Sequence, residues 1–178
     1  MKRMNFEIKK RNSIKMVTLF VALLFFGGIK GYCQNDEKTK NASAVIERLI
    51  GNRVSEFELT IIENKTANKD WFEIETTNNL VKIKGSNNTA ICYAAYNFLR
   101  DIGAALVSWE GNKVNLPKTW PKYSKKGNTP FEYREYLNAC TFGYTTPWWD
   151  WKRWEQEIDW MALHGINLPT AMEGQEAV

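Results

Sequence analysis

Residues 131–178 read FEYREYLNACTFGYTTPWWDWKRWEQEIDWMALHGINLPTAMEGQEAV, and they show a strand, a helix and a second strand in succession. Residues 133–141 are rich in aromatic and β-favouring side chains and predict the first strand. The short apolar segment 167–172 predicts the second strand. A strand, a helix and a strand in this order form a βαβ unit, so we expect the two strands to be parallel.

The helix between these strands is predicted from the spacing of its apolar residues. It begins either at Thr146, with Pro147 in its first turn, or at Asp150. Gly165 should end it as a left-handed cap, with Ile166 folding back onto the last turn. The buried stripe is expected to be Trp151, Trp154, Ile158 and Met161, and the solvent face Lys152, Arg153, Glu155 and Glu157, with Arg153 and Glu157 paired across one turn.

A single βαβ unit leaves its strand edges without neighbours, which is an unstable arrangement. Residues 173–178 have the pattern of another helix that is just beginning. We therefore expect the sequence to be the front end of a longer protein, cut at the opening of an α/β domain. A short natural domain with a frayed tail is the alternative.

The preceding region, residues 34–110, predicts a small α+β domain. Its helix at 89–101 should bury one apolar face and end at Gly103. We expect the helices to cover one face of a mainly antiparallel sheet. The helices are predicted at 43–50 and 89–101, and the strands at 57–62, 71–76, 81–84 and 105–109. Residues 111–128, with prolines, turn residues and lysines, are predicted to be a linker to the domain that starts at residue 129.

The net charge excludes one class of partner. The chain has 178 residues and a formal charge of +4, with 24 basic and 20 acidic side chains. Seven of the basic residues but a single acid lie in residues 1–33, so the remainder carries a small negative charge. Nucleic-acid binding needs a concentrated basic surface, and we therefore expect no nucleic acid as partner.

Residues 1–33 have the pattern of a secretory signal peptide, with a basic head and an apolar core at 16–29. This core is shorter than the roughly 20 residues that a membrane span needs, and we predict no transmembrane span in the mature chain. Cleavage is expected after Cys33. A lipoprotein signal with Cys33 acylated, and an uncleaved anchor, are the alternatives. We thus expect an exported protein, in the periplasm or secreted.

Two cysteines, Cys92 and Cys140, remain after that cleavage. Export permits a disulfide, but the two residues belong to different predicted domains, and we expect two free, half-buried thiols. The chain has one histidine and no CxxC pair, so no metal or cofactor signature is present in the sequence.

Candidate site residues follow from the expected architecture, because ligands of parallel α/β folds bind where the strands end. The first strand end holds Asn138 and Cys140 and leads to Tyr144, Trp148 and Trp149. Amides beside aromatic rings are typical of a sugar site, since a pyranose stacks its C–H face on a ring. Trp148 and Trp149 fit either the rim of such a site or the core.

The remaining candidate residues give weaker evidence of a binding or catalytic role. Trp151 and Trp154 lie on the apolar stripe and are expected in the core. Glu173 and Glu176 are the only acids near a strand end, and we assign neither a catalytic role, because two acids so close together on one loop could hardly flank a glycosidic bond. His164 is expected to cap the helix or to lie at the surface rather than to transfer protons.

These residues resemble a known family. The run at 148–168, WWDWKRWEQEIDWMALHGINL, followed by GQEA at 174–177, is similar to the start of the catalytic barrel of glycoside hydrolase family 89, the α-N-acetylglucosaminidases. The AAYNFL segment at 94–99 resembles that family's N-terminal domain. The resemblance covers about residues 34–178. It implies an α+β N-terminal domain followed, at residues 129–178, by the truncated start of a (β/α)8 TIM barrel.

The resemblance also implies an activity, which is the retaining removal of terminal α-linked N-acetylglucosamine from glycans by a pair of glutamates. Both glutamates belong to later strands and match nothing in this sequence, so residues 34–178 alone are expected to be inactive. Asn138 and Cys140 match positions that line the sugar pocket. The chain differs from the family at Glu173 and at 145–147. Both positions belong to rim loops, so the differences concern the preference for the aglycone, to which the terminal sugar is attached, rather than the reaction. A carbohydrate-binding module without hydrolysis is the alternative function, and an export-associated structural domain is a third.

Overall fold

The computed structural model of the chain describes residues 37–63, 69–136, 138, 140 and 143–170. The predicted leader at 1–33, including Cys33, and the predicted helix start at 173–178 with Glu173 and Glu176 lie outside the described residues.

A four-stranded mixed sheet forms the base of the N-terminal domain. Its strands are β1 (Phe57–Ile61), β2 (Trp71–Thr77), β3 (Leu80–Gly85) and β6 (Ser124–Asn128), in the order β1-β3-β2-β6. β1 and β3 are parallel, and the two other pairs are antiparallel, as the sequence predicted for a mainly antiparallel sheet. Asn78 and Asn79, both with positive φ, make the tight turn between β2 and β3.

Two helices cover one face of this sheet, α1 (Lys40–Ile50) and α2 (Asn88–Asp101). The Asn87 side chain caps α2 by accepting a hydrogen bond from the Ala90 amide at 2.9 Å. The inward side chains of the strands meet the apolar faces of both helices in one core, which includes Ile46, Phe57, Ile74, Ile83, Ile91, Phe98 and Leu99. The outward positions of β2 carry Glu73 and Glu75, which alternate with the buried Phe72 and Ile74.

The prediction of a linker at 111–128 is wrong. These residues contain β5 (Gly111–Val114), which pairs with β4 (Ala105–Ser108) in a separate hairpin, and the sheet strand β6. Between them Trp120 is buried and packs edge-on against Phe57, with ring centroids 5.6 Å apart. The lysines suggested a solvated linker, but the ammonium group of Lys125 on β6 pairs with Asp101, at the end of α2, at 2.7 Å.

The predicted βαβ unit is confirmed. Strand β7 (Glu135–Tyr136) pairs in parallel with β8 (Leu168–Pro169), and α3 (Trp151–Leu163) connects them. Asp150 decides between the two predicted helix starts, because its side chain accepts a hydrogen bond from the Arg153 amide at 2.8 Å. Pro147 lies in a separate 3-10 turn just before it. Gly165 is left-handed, with φ 76°, and the Ile166 amide donates to Met161 as predicted.

The predicted buried stripe of α3 is wrong in part. Met161 is buried, but Trp151 is 70% exposed and Ile158 is also exposed. The side chain buried in their place is Glu157, which is only 1% exposed although it was predicted on the solvent face. The reason is that α3 packs against α1 and α2 of the N-terminal domain, so that Leu163 joins the main core and the buried face is rotated.

Ion pairs join the N-terminal domain to the βαβ unit. Arg48 on α1 donates two hydrogen bonds of 2.6 Å to Asp159 on α3. Arg134, next to β7, pairs with Asp70, which precedes β2. The Arg134–Asp70 pair fixes the first strand of the βαβ unit against the N-terminal domain, whereas the Arg48–Asp159 pair fixes α3.

Candidate functional site

The end of strand β7 holds the two predicted sugar-contacting residues. Asn138 accepts a hydrogen bond from the Cys140 amide at 2.9 Å through Oδ1, which makes a turn of the backbone. Its Nδ2 donates to the Tyr144 hydroxyl at 3.4 Å. Both Asn138 and Cys140 are exposed. The structure therefore brings Asn138 and Cys140 together at a strand end, and it adds Tyr144 as a neighbour.

The two cysteines are free thiols, as predicted, but neither is half-buried. Cys92 lies on α2 in the hydrophobic core and is 2% exposed, while Cys140 is exposed to solvent. Burial, with Asp159 nearby, raises the pKa of the Cys92 thiol to about 12, which makes this group inert. Only Cys140 is thus available to contact a ligand among the cysteines of the described residues.

Several aromatic residues follow this strand end in the sequence. Tyr144 is exposed, and Trp148 has 84% of its side chain accessible to solvent. The sequence left open whether Trp148 lies at the rim of a site or in the core, and its exposure excludes the core. Trp149 is half-buried, and its ring packs edge-on against Trp154 with centroids 4.9 Å apart. An exposed indole such as that of Trp148 is a suitable platform for the C–H face of a sugar ring.

Sequence reasoning missed the buried polar network behind this rim. The Glu157 carboxylate accepts a hydrogen bond from the Tyr136 hydroxyl at 2.8 Å and one from Arg153 at 2.7 Å. Burial, and then the bond to Glu157, raise the pKa of Tyr136 to about 12, while the charge of Arg153 acts in the opposite direction. The one signal in the sequence was the predicted Arg153–Glu157 spacing, and it gave the pairing without the burial.

His164 occupies the end of α3, as predicted. Its Nδ1 lies 2.8 Å from the Trp160 carbonyl oxygen, and its ring stacks on the Trp160 indole with centroids 4.2 Å apart. Burial lowers the pKa of His164, and the charge of Arg100 lowers it further. A neutral imidazole packed between rings at the far end of the helix from the rim agrees with the cap role.

A cavity of about 410 Å³ lies between α1, the β4–β5 hairpin and α3. Its walls carry charges of both signs, and its polar lining includes Arg48, Trp109, Arg153 and Glu157. Among the residues that the structure describes, no group of three or more His, Cys, Asp or Glu side chains could hold a metal ion. No helix of that same part of the chain is long and apolar enough to cross a bilayer.

Comparison with protein families decides the relationship. Residues 40–122 match the model of the α-N-acetylglucosaminidase N-terminal domain, and residues 134–178 match the model of the TIM-barrel domain of the same family. The chain belongs to the α-N-acetylglucosaminidase family. The second match begins at Arg134, next to β7, and so includes the βαβ unit and the strand end described above.

Individual α-N-acetylglucosaminidases are similar over most of the chain. The human α-N-acetylglucosaminidase is 36% identical over 171 residues, which cover 91% of this chain and 23% of the human protein. The chain thus spans about a quarter of the length of that relative. A family 89 glycoside hydrolase from Clostridium perfringens, solved in complex with PUGNAc, is 27% identical with a TM-score of 0.69, over 74% of this chain and 15% of the other.

Two further structures of the Clostridium perfringens protein have the same identity and TM-score. One is a variant with two glutamates replaced by glutamine, in complex with its substrate GlcNAc-α-1,4-galactose. The other is in complex with 2-acetamido-1,2-dideoxynojirimycin and covers 81% of this chain and 17% of that one. These similarities support the α-N-acetylglucosaminidase fold of this chain. The roles of Asn138 and Cys140 stay predictions.

Proposed function

We propose that the chain supplies the N-terminal domain and the first βαβ unit of a secreted α-N-acetylglucosaminidase, which removes terminal α-linked N-acetylglucosamine from glycans. The observation that carries the proposal is the parallel pairing of Glu135 with Leu168 within the residues that match the family's TIM-barrel model. In such barrels the substrate binds where the strands end. Retaining hydrolysis on a complete (β/α)8 barrel is the corresponding mechanism.

Within that barrel, Asn138 and Cys140 are proposed to contact the terminal sugar. The Asn138 amide offers a donor and an acceptor to sugar hydroxyls, and the Cys140 thiol fills the floor of the pocket. Exposure of both residues, and of Trp148 in the segment that follows them, supports this assignment. In the complete protein, Asn138→Ala should raise KM for an aryl α-N-acetylglucosaminide, and an unchanged KM would contradict the role of Asn138.

Hydrolysis itself requires two carboxyl groups about 5–5.5 Å apart in a retaining glycosidase. The family's glutamates match no residue of this sequence, and Glu157, the buried acid on α3, is held by Tyr136 and Arg153. We therefore expect purified residues 34–178 to release no phenol from an aryl α-N-acetylglucosaminide. Release of phenol by residues 34–178 would contradict the assignment of both catalytic acids to later strands.

A carbohydrate-binding module without hydrolysis is the second candidate, and the exposed ring of Trp148 favours it. Sugar binding by residues 34–178, combined with no hydrolysis by the complete protein, would support this candidate. Export completes the proposal, with residues 1–33 as the leader and Gln34 as the first mature residue. Sequencing of the mature N-terminus tests this, and an acylated Cys33 in its place would indicate a lipoprotein.

A further inference from the structure

We infer that Glu157 is a positioning residue, which acts through Arg153 to hold Trp149 and the adjoining Trp148 in place for sugar binding. The inference rests on the proposed function, because it assigns a role in forming the sugar-binding rim. It also gives the N-terminal domain a part in that rim through Trp109.

The environment of Glu157 is the starting point. Its side chain is 1% exposed, and a carboxylate buried without partners would be strongly destabilising. Each of its oxygens has one partner, Tyr136 on Oε1 at 2.8 Å and Arg153 on Oε2 at 2.7 Å. A buried ion pair is often no more stabilising than apolar side chains of the same volume, so stability alone does not explain a charge at this position. Its directional bonds, in contrast, fix the orientation of both partners.

Arg153 transmits this orientation to the rim. Its guanidinium carbon lies 4.1 Å from the centroid of the Trp149 ring, which is the geometry of a cation–π contact. The planar guanidinium group can both stack on Trp149 and bond Glu157 only in a narrow range of orientations. Trp149 directly follows Trp148, whose ring is exposed, so the backbone that carries the exposed ring is held through Trp149.

The N-terminal domain contributes Trp109 to this network. It directly follows the end of β4. The Trp109 ring centroid is 5.7 Å from the Arg153 guanidinium carbon and 6.5 Å from the Trp149 centroid. One indole of the N-terminal domain thus lies beside both Arg153 on α3 and Trp149. Tyr136 lies two residues before Asn138, so the same network also fixes the strand that leads to the predicted sugar contact.

The test uses the complete protein and compares Glu157→Gln with a matched control, Asp159→Asn. Both changes remove one negative charge from α3, and both break a bond to an arginine, but Asp159 pairs with Arg48, away from the rim. We measure kcat, KM for an aryl α-N-acetylglucosaminide and the melting temperature. Both variants should melt at lower temperature. Only Glu157→Gln should raise KM, by about tenfold, because loss of positioning at a site has effects of this order or larger.

Tyr136→Phe keeps the test decisive if Glu157→Gln does not fold. It deletes one hydroxyl group and leaves the carboxylate paired with Arg153, so we expect KM to rise about threefold, less than for loss of the charge. A KM equal to that of the wild type in Glu157→Gln, or in Tyr136→Phe if that variant alone folds, contradicts the inference. So does an equal rise in Asp159→Asn. A wild-type protein without hydrolytic activity contradicts the proposed function itself, and the inference with it.

Discussion

Arg48 and Asp159 are 111 residues apart in the sequence, and two hydrogen bonds of 2.6 Å join their side chains. Arg48 belongs to α1 of the N-terminal domain, and Asp159 belongs to α3 of the βαβ unit. The Asp159 side chain is 14% exposed and the Arg48 side chain is 41% exposed, so the pair is screened only in part. The bidentate geometry makes it a specific link between the two parts of the chain.

Asp159→Asn is expected to lower the free energy of unfolding by about 1–2 kcal/mol, since hydrogen bonds to charged groups contribute about that much and solvent screens part of it. Urea unfolding measures the change. The control is Glu155→Gln, because Glu155 faces the same arginine at 4.0 Å with a more exposed side chain. We expect less than about 0.5 kcal/mol for this control. Equal effects of the two variants would show that the bidentate pair has no special role.

Gly165→Ala should lower stability more than Gly103→Ala. Both glycines end a helix with positive φ, 76° and 70°, and each substitution places a side chain in left-handed backbone at a cost of about 1–2 kcal/mol. A Cβ on Gly103 meets open space, whereas a Cβ on Gly165 would lie 3.3 Å from the ring of Tyr93. Thermal unfolding of the two variants measures the difference. A larger loss for Gly103→Ala would argue against the packing of this turn on Tyr93.

Gly127→Ala tests the assignment of β6 to the sheet. A Cβ at Gly127 would lie 2.5 Å from the ring of Phe72 on the neighbouring strand, and relief of such overpacking typically costs about 1–3 kcal/mol. Lys126→Ala is the control, because Lys126 lies on the same strand but its side chain is largely exposed and paired with Glu73 at the surface. We expect little change for it in urea unfolding. If Gly127→Ala also left the free energy of unfolding nearly unchanged, residues 124–128 would not pack as a strand against β2.

The two cysteines should differ in reactivity toward an aromatic disulfide reagent near pH 8, measured on protein that begins at Gln34. Cys140 is exposed and should react at once. Cys92 is buried, and its pKa, raised to about 12, leaves almost no thiolate at that pH, so it should react only on unfolding. Cys140→Ser should leave the native protein unreactive. Rapid modification of Cys92 in that variant would be inconsistent with the packing of α2.

Local signals explain what the sequence predicted well. Asp150 before α3 and Gly165 after it act on backbone groups within a few residues, so their effects can be predicted without knowing the fold. The parallel pairing of β7 with β8 followed from chain connectivity alone.

The errors concern contacts between distant residues. Charged side chains are almost always exposed, so Glu157 was predicted on the solvent face, and its partner Tyr136 is 21 residues away. Periodicity showed that α3 has an apolar side, but packing against the N-terminal domain determines which side is buried, and this exposes Trp151. The lysines of β6 made this strand resemble a solvated linker. Lys125 is paired with Asp101, at the end of α2, and the local sequence does not reveal this contact.

The most direct test of the central claim is hydrolysis by the complete protein of aryl N-acetylglucosaminides in the α and β configurations. We expect phenol release from the α substrate alone, with the α anomer of N-acetylglucosamine as the first product seen by NMR, as a retaining barrel enzyme requires. Release from the β substrate alone, or from neither substrate, would contradict the claim that this chain begins an α-N-acetylglucosaminidase.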